Sequence, residues 1–416
     1  MTRTTPDVLN PVPAPSERRI ALRVSAAAER TLRQNHPWIY DQAIARQSDR
    51  GQPGDLAVIF DRDRKFLAIG LYDPTSPIRV RILQGRKPAP IDGAWFEARL
   101  RQAVDRRAPL AGADTTAYRL VHGENDGLPG LVIDRYDHTL VLKLYTLAWV
   151  PHLRTLIDAM ARPMPAKRLV LRLSRSAQAH RKHLHGLSDG LILSGPPLDE
   201  PIVFLEHGLR FEADPIHGQK TGFFLDQRDN RARIEPMTAN RAVLDAFAYT
   251  GGFSVYAARG HAREVLTVDV SRPALSAARR NMALNRRHPA VGSATHRLIT
   301  GDGFDVLENL RSRKRRFDVV IVDPPSFAAT QAQVKPALRA YDRLTRLALG
   351  VLAPKGTLMI GCCSTHIGAQ TFFSTVQRAA SAARRPLQVL SRTQHPLDHP
   401  ITFPEGAYLK ALFAIA

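Results

Sequence analysis

Two short segments of this sequence hold side chains that could act together on an electron-poor ring. Gly361-Cys362-Cys363-Ser364 closes the apolar run Thr357 to Gly361 and carries the chain's two cysteines. Asp323-Pro324-Pro325-Ser326-Phe327 closes a second apolar run that begins at Phe317. Successive side chains of a strand point to opposite faces, so only one of the two thiols can address a crevice at the strand's end. A thiolate that adds to carbon 6 of a cytosine turns carbon 5, a poor nucleophile, into an enamine carbon able to attack a methyl group. Asp323 would assist by protonating or hydrogen-bonding ring nitrogen 3 as charge develops there. The competing reading of an unplaced cysteine is a small buried apolar residue, and the position opposite the Asp323 loop turns that balance toward the nucleophile. Pro324 and Pro325 fix φ and remove donors, which leaves a stiff loop presenting its carbonyls to a planar base. Phe327 could stack on a base flipped out of its helix, or it could equally be a core aromatic.

A methyl donor needs its own crevice. The run Ala242-Val243-Leu244-Asp245 leads into Ala246-Phe247-Ala248-Tyr249-Thr250-Gly251-Gly252-Phe253-Ser254, where the two glycines let the backbone approach a ligand that a Cβ would block. Asp269 ends the next apolar run, two residues before Ser271, and its carboxylate can accept from both hydroxyls of a ribose. The third glycine of a dinucleotide fingerprint is absent, and a carboxylate at Asp245 suits a cationic sulfonium amino acid better than a pyrophosphate. S-adenosylmethionine is therefore the expected cofactor. Asp302, before Gly303 in Thr300-Gly301-Asp302-Gly303-Phe304, could accept from an adenine amino group, or it could be a plain turn aspartate.

The elements that must position these residues follow from periodicity. From Arg241 the pattern alternates strand and helix: Val243 to Asp245, Phe253 to Arg259, Val265 to Asp269, Pro273 to Asn285, Phe317 to Asp323, Leu338 to Leu352 and Thr357 to Gly361. That is the signature of a doubly wound parallel sheet. Leu387 to Leu390 and Tyr408 to Ala414 predict two late strands, an antiparallel edge hairpin. Upstream, Arg23 to Leu83 alternates short apolar runs with turn residues and predicts a small β-rich module. Within it, Ile78-Arg79-Val80-Arg81-Ile82 puts Arg79 and Arg81 on one face of a strand, either meeting phosphates or simply solvated. After the break at Pro88 to Pro90, a helix over Trp95 to Arg107, two strands within Tyr118 to Leu144 and a helix over Trp149 to Met160 predict a second, α+β module.

A chain of 416 residues is long enough for several domains. Its formal charge of +21 suits a polyanionic partner such as nucleic acid, although a coding bias toward arginine would give the same figure. No stretch approaches the roughly 18 apolar residues of a membrane helix. The first 18 residues, rich in Thr and Pro, read as a flexible tail without a secretory signal, which makes the cytoplasm the default compartment. The adjacent cysteines cannot form a useful bridge. Basic runs at Arg286-Arg287-His288 and Arg311 to Arg316 read first as solvated helix ends, and His180, His183 and His185 lack partner cysteines, so no metal is expected.

At these residues the chain resembles the RlmI-type family of ribosomal RNA large-subunit methyltransferases. His36-Pro37-Trp38-Ile39-Tyr40 looks like the opening motif of the family's PUA domain, and Gly123-Glu124-Asn125-Asp126-Gly127-Leu128-Pro129-Gly130 like its middle-domain signature. Lys220-Thr221-Gly222-Phe223-Phe224-Leu225-Asp226-Gln227-Arg228-Asp229 resembles the segment leading into the cofactor site, and His399-Pro400 with Pro404-Glu405-Gly406 resembles the closing segment. The resemblance covers nearly everything after residue 20. It implies an α/β class I methyltransferase domain with a Rossmann-like sheet over 207–416, a small α+β middle domain over 89–206, a β-rich PUA-like RNA-binding domain over 19–88 and a tail over 1–18. It implies that Gln227, Arg228, the Asp245 to Gly252 loop with Phe247, Tyr249, Thr250 and Gly251, Asp269, Ser271, Asp302, Gly303 and Asp323 line the cofactor site. It further implies 5-methylcytidine formation in large-subunit ribosomal RNA, because the family's thiol falls at Cys363. Ser326 stands where a lysine is common in the family, and Cys362 replaces a serine or threonine. Guanine methylation without a thiol, and RNA binding without catalysis, are the alternatives; Cys363 argues against the first and the intact Asp245, Asp269, Asp323 and Cys363 set against the second. A homodimer through the N-terminal modules is compatible with the sequence but not required by it.

Overall fold

The computed structural model describes residues 7–112 and 114–416. The chain forms two compact units: residues 1–204 with 213–223 and 397–404, and residues 205–212 with 224–396 and 405–416.

The first unit holds two sheets. Strands β1 (Arg19–Val24), β2 (Trp38–Tyr40), β3 (Ile44–Gln47), β4 (Leu56–Phe60), β5 (Phe66–Tyr72) and β6 (Ile78–Gly85) form a six-stranded sheet in the order β2-β6-β5-β4-β1-β3, all antiparallel except β1 with β4. Strands β7 (Ala117–His122), β8 (Leu131–Tyr136), β9 (Thr139–Leu144), β10 (Arg168–Leu173) and β11 (Ile192–Ser194) form a second sheet in the order β11-β10-β9-β8-β7. Three strands stand where two were expected over Tyr118 to Leu144, because the chain reverses at both the Asp126-Gly127 and the Asp137 turns, with Gly127 and Asp137 left-handed at φ 71° and 52°. The helix expected over Trp149 to Met160 begins as a 3₁₀ turn, Leu147–His152, and becomes α-helical only at Leu153–Met160. Pro151 lies inside that turn, and its missing N–H breaks the regular ladder.

The expected tail needs correction. Residues 1–6 lie outside the described residues, but Leu9 and Val12 are buried in the core that also holds Phe96, Trp149 and Leu153. Arg154 donates to the Leu9 carbonyl at 2.7 Å, so both an apolar and a polar interaction hold the segment. Two apolar residues among prolines were too weak a periodic signal to reveal this packing.

Hairpin β12 (Ile202–Glu206) and β13 (Leu209–Ala213) carries the chain onward. Strands β14 (Ala242–Ala246), β15 (Glu264–Asp269), β16 (Thr295–Thr300), β17 (Phe317–Val322), β18 (Leu352–Cys362), β19 (Gln388–Thr393) and β20 (Lys410–Ile415) then build a seven-stranded sheet in the order β16-β15-β14-β17-β18-β20-β19. The first five run parallel, and the apolar character of the inner strands reflects burial on both faces: all five residues of β14 are buried, whereas β16, at the edge, is exposed or half-buried throughout. The late pair is antiparallel, with β20 inserted beside β18. The doubly wound sheet that the alternation predicted is therefore present. Its core joins β14, β17 and β18 to the helices Val334–Val351 and Ala369–Ala382 through Tyr341, Leu344, Phe372 and Val376.

Because Leu9 is fully buried, Leu9→Ala should lower stability by about 2–5 kcal/mol. Thermal unfolding checks this, and an unchanged melting temperature would mean that the segment is not packed.

Candidate active site

Strand order reverses between β15 and β17 on either side of β14, which opens a crevice outside the carboxyl ends of these strands. The loop leaving β14 fills its floor. Phe247 and Tyr249 take left-handed φ of 62° and 49°, and Gly251 follows at 72°. The two non-glycine residues carry a cost of order 1–3 kcal/mol each, sustained only where neighbours fix the backbone. Asp269 provides that fixing: its carboxylate accepts from the Tyr249 amide at 2.7 Å and from the Ser271 amide at 2.8 Å. Gly251 is obligatory on two counts, since its φ is positive and a Cβ would stand 2.8 Å from the Ala278 methyl.

Asp245 lies beneath this loop, fully buried. One carboxyl oxygen accepts from the Ser254 hydroxyl at 2.7 Å, and Ser254 in turn meets Thr267 at 2.7 Å. The other oxygen, Oδ1, has no hydrogen-bond partner among the described residues. Burial, followed by the charges of Asp323 and Asp269, pushes the Asp245 carboxyl up to about 7.

Asp323 follows β17 directly and accepts from the Gln227 side-chain amide at 2.8 Å. Gln227 is oriented by Asn230 at 2.5 Å, and Asn230 by the Thr393 hydroxyl at 2.7 Å. Gly361 on β18 permits this arrangement, because a Cβ there would stand 2.5 Å from an Asp323 oxygen. The next strand end separates the two thiols. Cys362 is fully buried in the core, while Cys363 is half-buried with Sγ 3.6 Å from the Pro324 carbonyl. The two loops are tied further by Ser364 to the Ala328 carbonyl at 2.8 Å and by His366 to the Ala329 carbonyl at 3.1 Å. A carboxylate, a stiff proline loop and one half-exposed thiol thus share one edge of the sheet.

Comparison with known proteins shows the family of the chain that carries these residues. Residues 119–414 match the S-adenosylmethionine-dependent methyltransferase family, and residues 22–84 match a PUA-like domain. A ribosomal RNA large subunit methyltransferase of Deinococcus radiodurans is 47% identical over 96% of this chain and 98% of its own length. This chain belongs to the RlmI-type family of ribosomal RNA large-subunit methyltransferases. Proteins called ribosomal RNA large subunit methyltransferase I from Tolumonas auensis and Salmonella arizonae are 39% and 37% identical, over 92% and 94% of this chain and 96% of each of theirs. The fold matches that of a Streptococcus mutans S-adenosylmethionine-dependent methyltransferase at TM-score 0.80 and 21% identity, covering 95% of this chain and all of that one. A methyltransferase solved with S-adenosylhomocysteine matches at the same TM-score, 0.80, and the same identity, 21%, over 96% of this chain and all of the other.

The residues of this methyltransferase fit the cofactor at one decisive atom. A fully buried carboxyl with one satisfied and one open oxygen suits a cation, whose arrival would draw the group into its ionised form. Other expected residues are placed differently. Asp302 caps the helix Gly303–Ser312, accepting from the Phe304 amide at 2.9 Å and the Asp305 amide at 3.3 Å, which is the turn-aspartate alternative. Ser271 caps the helix Arg272–Leu284 through its hydroxyl. Gly303 packs against the Phe247 ring, and Arg228 is buried beside Asp229. Thr250 is buried, its carbonyl accepting from Asn281 at 2.9 Å, and Gly252 opens the helix Gly252–Arg259. Pro324 is buried and Pro325 exposed. Phe327, partly buried, stands in a row of aromatic rings, 6.0 Å from Phe304 and 5.0 Å from Tyr341.

Arg79 and Arg81, in the other unit, do not form a free basic face. Arg81 is 6% exposed and donates to the Ile78 carbonyl at 3.0 Å, while Arg79 donates to the Pro74 carbonyl within the β5–β6 turn. A guanidinium can fold back onto the carbonyls of its own turn, a possibility that strand alternation alone does not reveal. Sequence reasoning assigned no role to Ser254, Asn230 or Thr393. Ser254, just after the glycine loop, and Asn230, three residues after Gln227, lay near expected residues in sequence, whereas Thr393 did not.

The raised Asp245 carboxyl predicts how cofactor binding depends on pH. If the ionised form binds the cation, affinity for S-adenosylmethionine should be about tenfold weaker at pH 6 than at pH 8, and Asp245→Asn should bind weakly with no such slope. Calorimetric titration at the two pH values measures this. In the free protein the sign is opposite: the folded value lies above that of the unfolded chain, near 3.9, so the stability Asp245 contributes below about pH 4 is lost as pH rises through about 7.

Proposed function

We propose that this enzyme forms 5-methylcytidine in large-subunit ribosomal RNA through a transient bond between Cys363 and carbon 6 of the cytosine. The observation that carries this reading is the separation of the two thiols: Cys362 lies in the core, and Cys363 stands half-exposed against the Pro324 carbonyl beside Asp323. In the same reading the PUA-like domain holds the RNA and the enzyme works in the cytoplasm; the names of its relatives, and the charge of +21, support a ribosomal RNA substrate.

The cofactor-binding roles fall to the loop from Asp245 to Gly252, to Asp269 and, through its orientation of Asp323, to Gln227. Asp245 Oδ1 would face the cationic end of the cofactor, and the left-handed Phe247 and Tyr249 would present backbone to it. S-adenosylmethionine, when bound, supplies an electrophilic methyl group and leaves as a neutral thioether. Cys363 adds as thiolate to carbon 6, and the electron pair of the 5,6 double bond becomes available at carbon 5. Asp323 hydrogen-bonds or protonates nitrogen 3, which absorbs the charge that would otherwise build on the ring. After carbon 5 has gained its methyl group it loses its proton to a base. Those electrons restore the double bond, the Sγ–C6 bond breaks and Cys363 is regenerated. The Gln227-Asn230-Thr393 chain holds Asp323 in place throughout.

Transfer of labelled methyl groups to ribosomal RNA, followed by nucleoside digestion, tests the reading. The expected product is 5-methylcytidine; Cys363→Ala should abolish it, Cys362→Ala should retain it, and Asp323→Asn should slow it by about 10²–10⁴-fold. A methylguanosine product that is indifferent to both cysteine changes would sink the cytosine assignment and leave the methyltransferase itself standing.

A further inference from the structure

Behind the thiol lies a charge that the mechanism so far leaves idle. Lys410 opens β20, pairs in register with Cys362 on β18 and is only 2% exposed. Its ammonium donates to the carbonyls of Ser364 and Ile367, each at 2.6 Å, and so clasps the turn that runs from Cys363 to the helix Ala369–Ala382. Among the described residues no carboxylate lies within ion-pair distance of its Nζ. An ammonium buried without a counter-anion is an unfavourable arrangement that proteins keep only where something compensates it.

The two carbonyls supply part of that compensation, and the titratable groups around the ammonium are few. Cys362 faces the core. Tyr341, on the helix Val334–Val351, has a fully buried hydroxyl directed toward Cys362, and its phenol is pushed up first by burial and then by Cys362, Cys363 and Asp323. Asp323, after β17, is engaged with Gln227, and His366, on the same turn as the thiol, is exposed and bonded to Ala329. Burial draws Lys410 below its ordinary value, and the groups that oppose this are Cys362 and Cys363. Of these two only Cys363 reaches the crevice.

We propose that Lys410 is a positioning residue for Cys363: its ammonium fixes the turn that carries the thiol and supplies the positive charge against which the Cys363 thiolate forms. The proton leaves Sγ for solvent, the electron pair stays on sulfur, and no other bond changes. The inference rests on the thiol mechanism proposed above, yet it concerns a property of the free enzyme and can be measured without RNA.

The experiment uses full-length Cys362→Ala enzyme, in which Cys363 is the single thiol, and follows its alkylation by iodoacetamide from pH 5.5 to 10. With Lys410 present the titration midpoint should fall below the roughly 8.5 of an ordinary thiol. Lys410→Met should raise that midpoint by about one unit, slowing alkylation at pH 7 about tenfold. Lys410→Arg should keep it low. Methyl transfer by Lys410→Met should fall in the same proportion at pH 7 and recover toward pH 9, with S-adenosylhomocysteine affinity and melting temperature reporting that the site is intact. A midpoint at or above the ordinary value in the enzyme that retains Lys410 overturns the proposal without any lysine variant, so a Met variant that fails to fold does not rescue it. A Met variant that loses activity equally at all pH values with an unmoved midpoint overturns it as well, leaving Lys410 a purely structural clasp. Retained methyl transfer in Cys363→Ala would instead defeat the adduct mechanism, while the alkylation midpoint would still report on Lys410.

Discussion

Three carboxylates reach the same edge of one buried parallel sheet, and their mutual repulsion in an apolar setting is the constraint around which the catalytic unit is arranged. Asp245 is the penultimate residue of β14, Asp269 ends β15 and Asp323 follows β17, three neighbouring strands. Like charges at close range in a medium of low polarity cannot all remain ionised without donors. Each is treated differently. Asp269 receives two backbone amides and Asp323 a side-chain amide, while Asp245 is held by Ser254 and has one oxygen, Oδ1, with no partner among the described residues. The least satisfied member is the one whose carboxyl is raised, burial being the first cause and the charges of Asp323 and Asp269 adding to it.

The same hydrogen bonds that quiet the carboxylates shape the crevice. Asp269 holds the Tyr249 amide and so sustains a loop with two left-handed non-glycine residues. Asp323 is held through Gln227 and Asn230 by Thr393, a residue of the edge strand β19. The late antiparallel pair is therefore more than a lid on the sheet's edge: β19 sends support to the acid, and β20 sends Lys410 beneath the thiol turn.

In the first unit two arginines whose side chains are largely buried are matched by direct pairing. Arg107 and Asp126 are 1% and 2% exposed and lie 2.7 Å apart, and Arg119 grips Asp134 at the same distance, 2.7 Å. Into this network the segment Leu397–Pro404 brings Asp398, which accepts from the Arg119 amide at 2.9 Å, and Thr402, whose amide donates to Asn125 at 2.7 Å. Ion pairs of this kind add little net stability but penalise any arrangement that separates them, which explains why the segment docks in one place.

Much of this was legible in the chain itself. Strand and helix alternation gave the doubly wound sheet, and the apolar runs ending in Asp245, Asp269 and Asp323 placed the carboxylates on its edge, because period and burial are local properties of sequence. Alternation also limited the crevice to one of the two thiols, and the family resemblance pointed to Cys363. What the sequence could not decide is which donors each side chain would find. Asp302 and Ser271 became helix caps, Phe327 joined an aromatic row, Arg81 sank beneath its own strand, and Leu9 entered a core. Lys410 and Thr393 reach the site from strands that lie far from it in sequence. Hydrogen-bond partners and burial depend on contacts between residues distant along the chain, and those distances exist only after the sheets have closed.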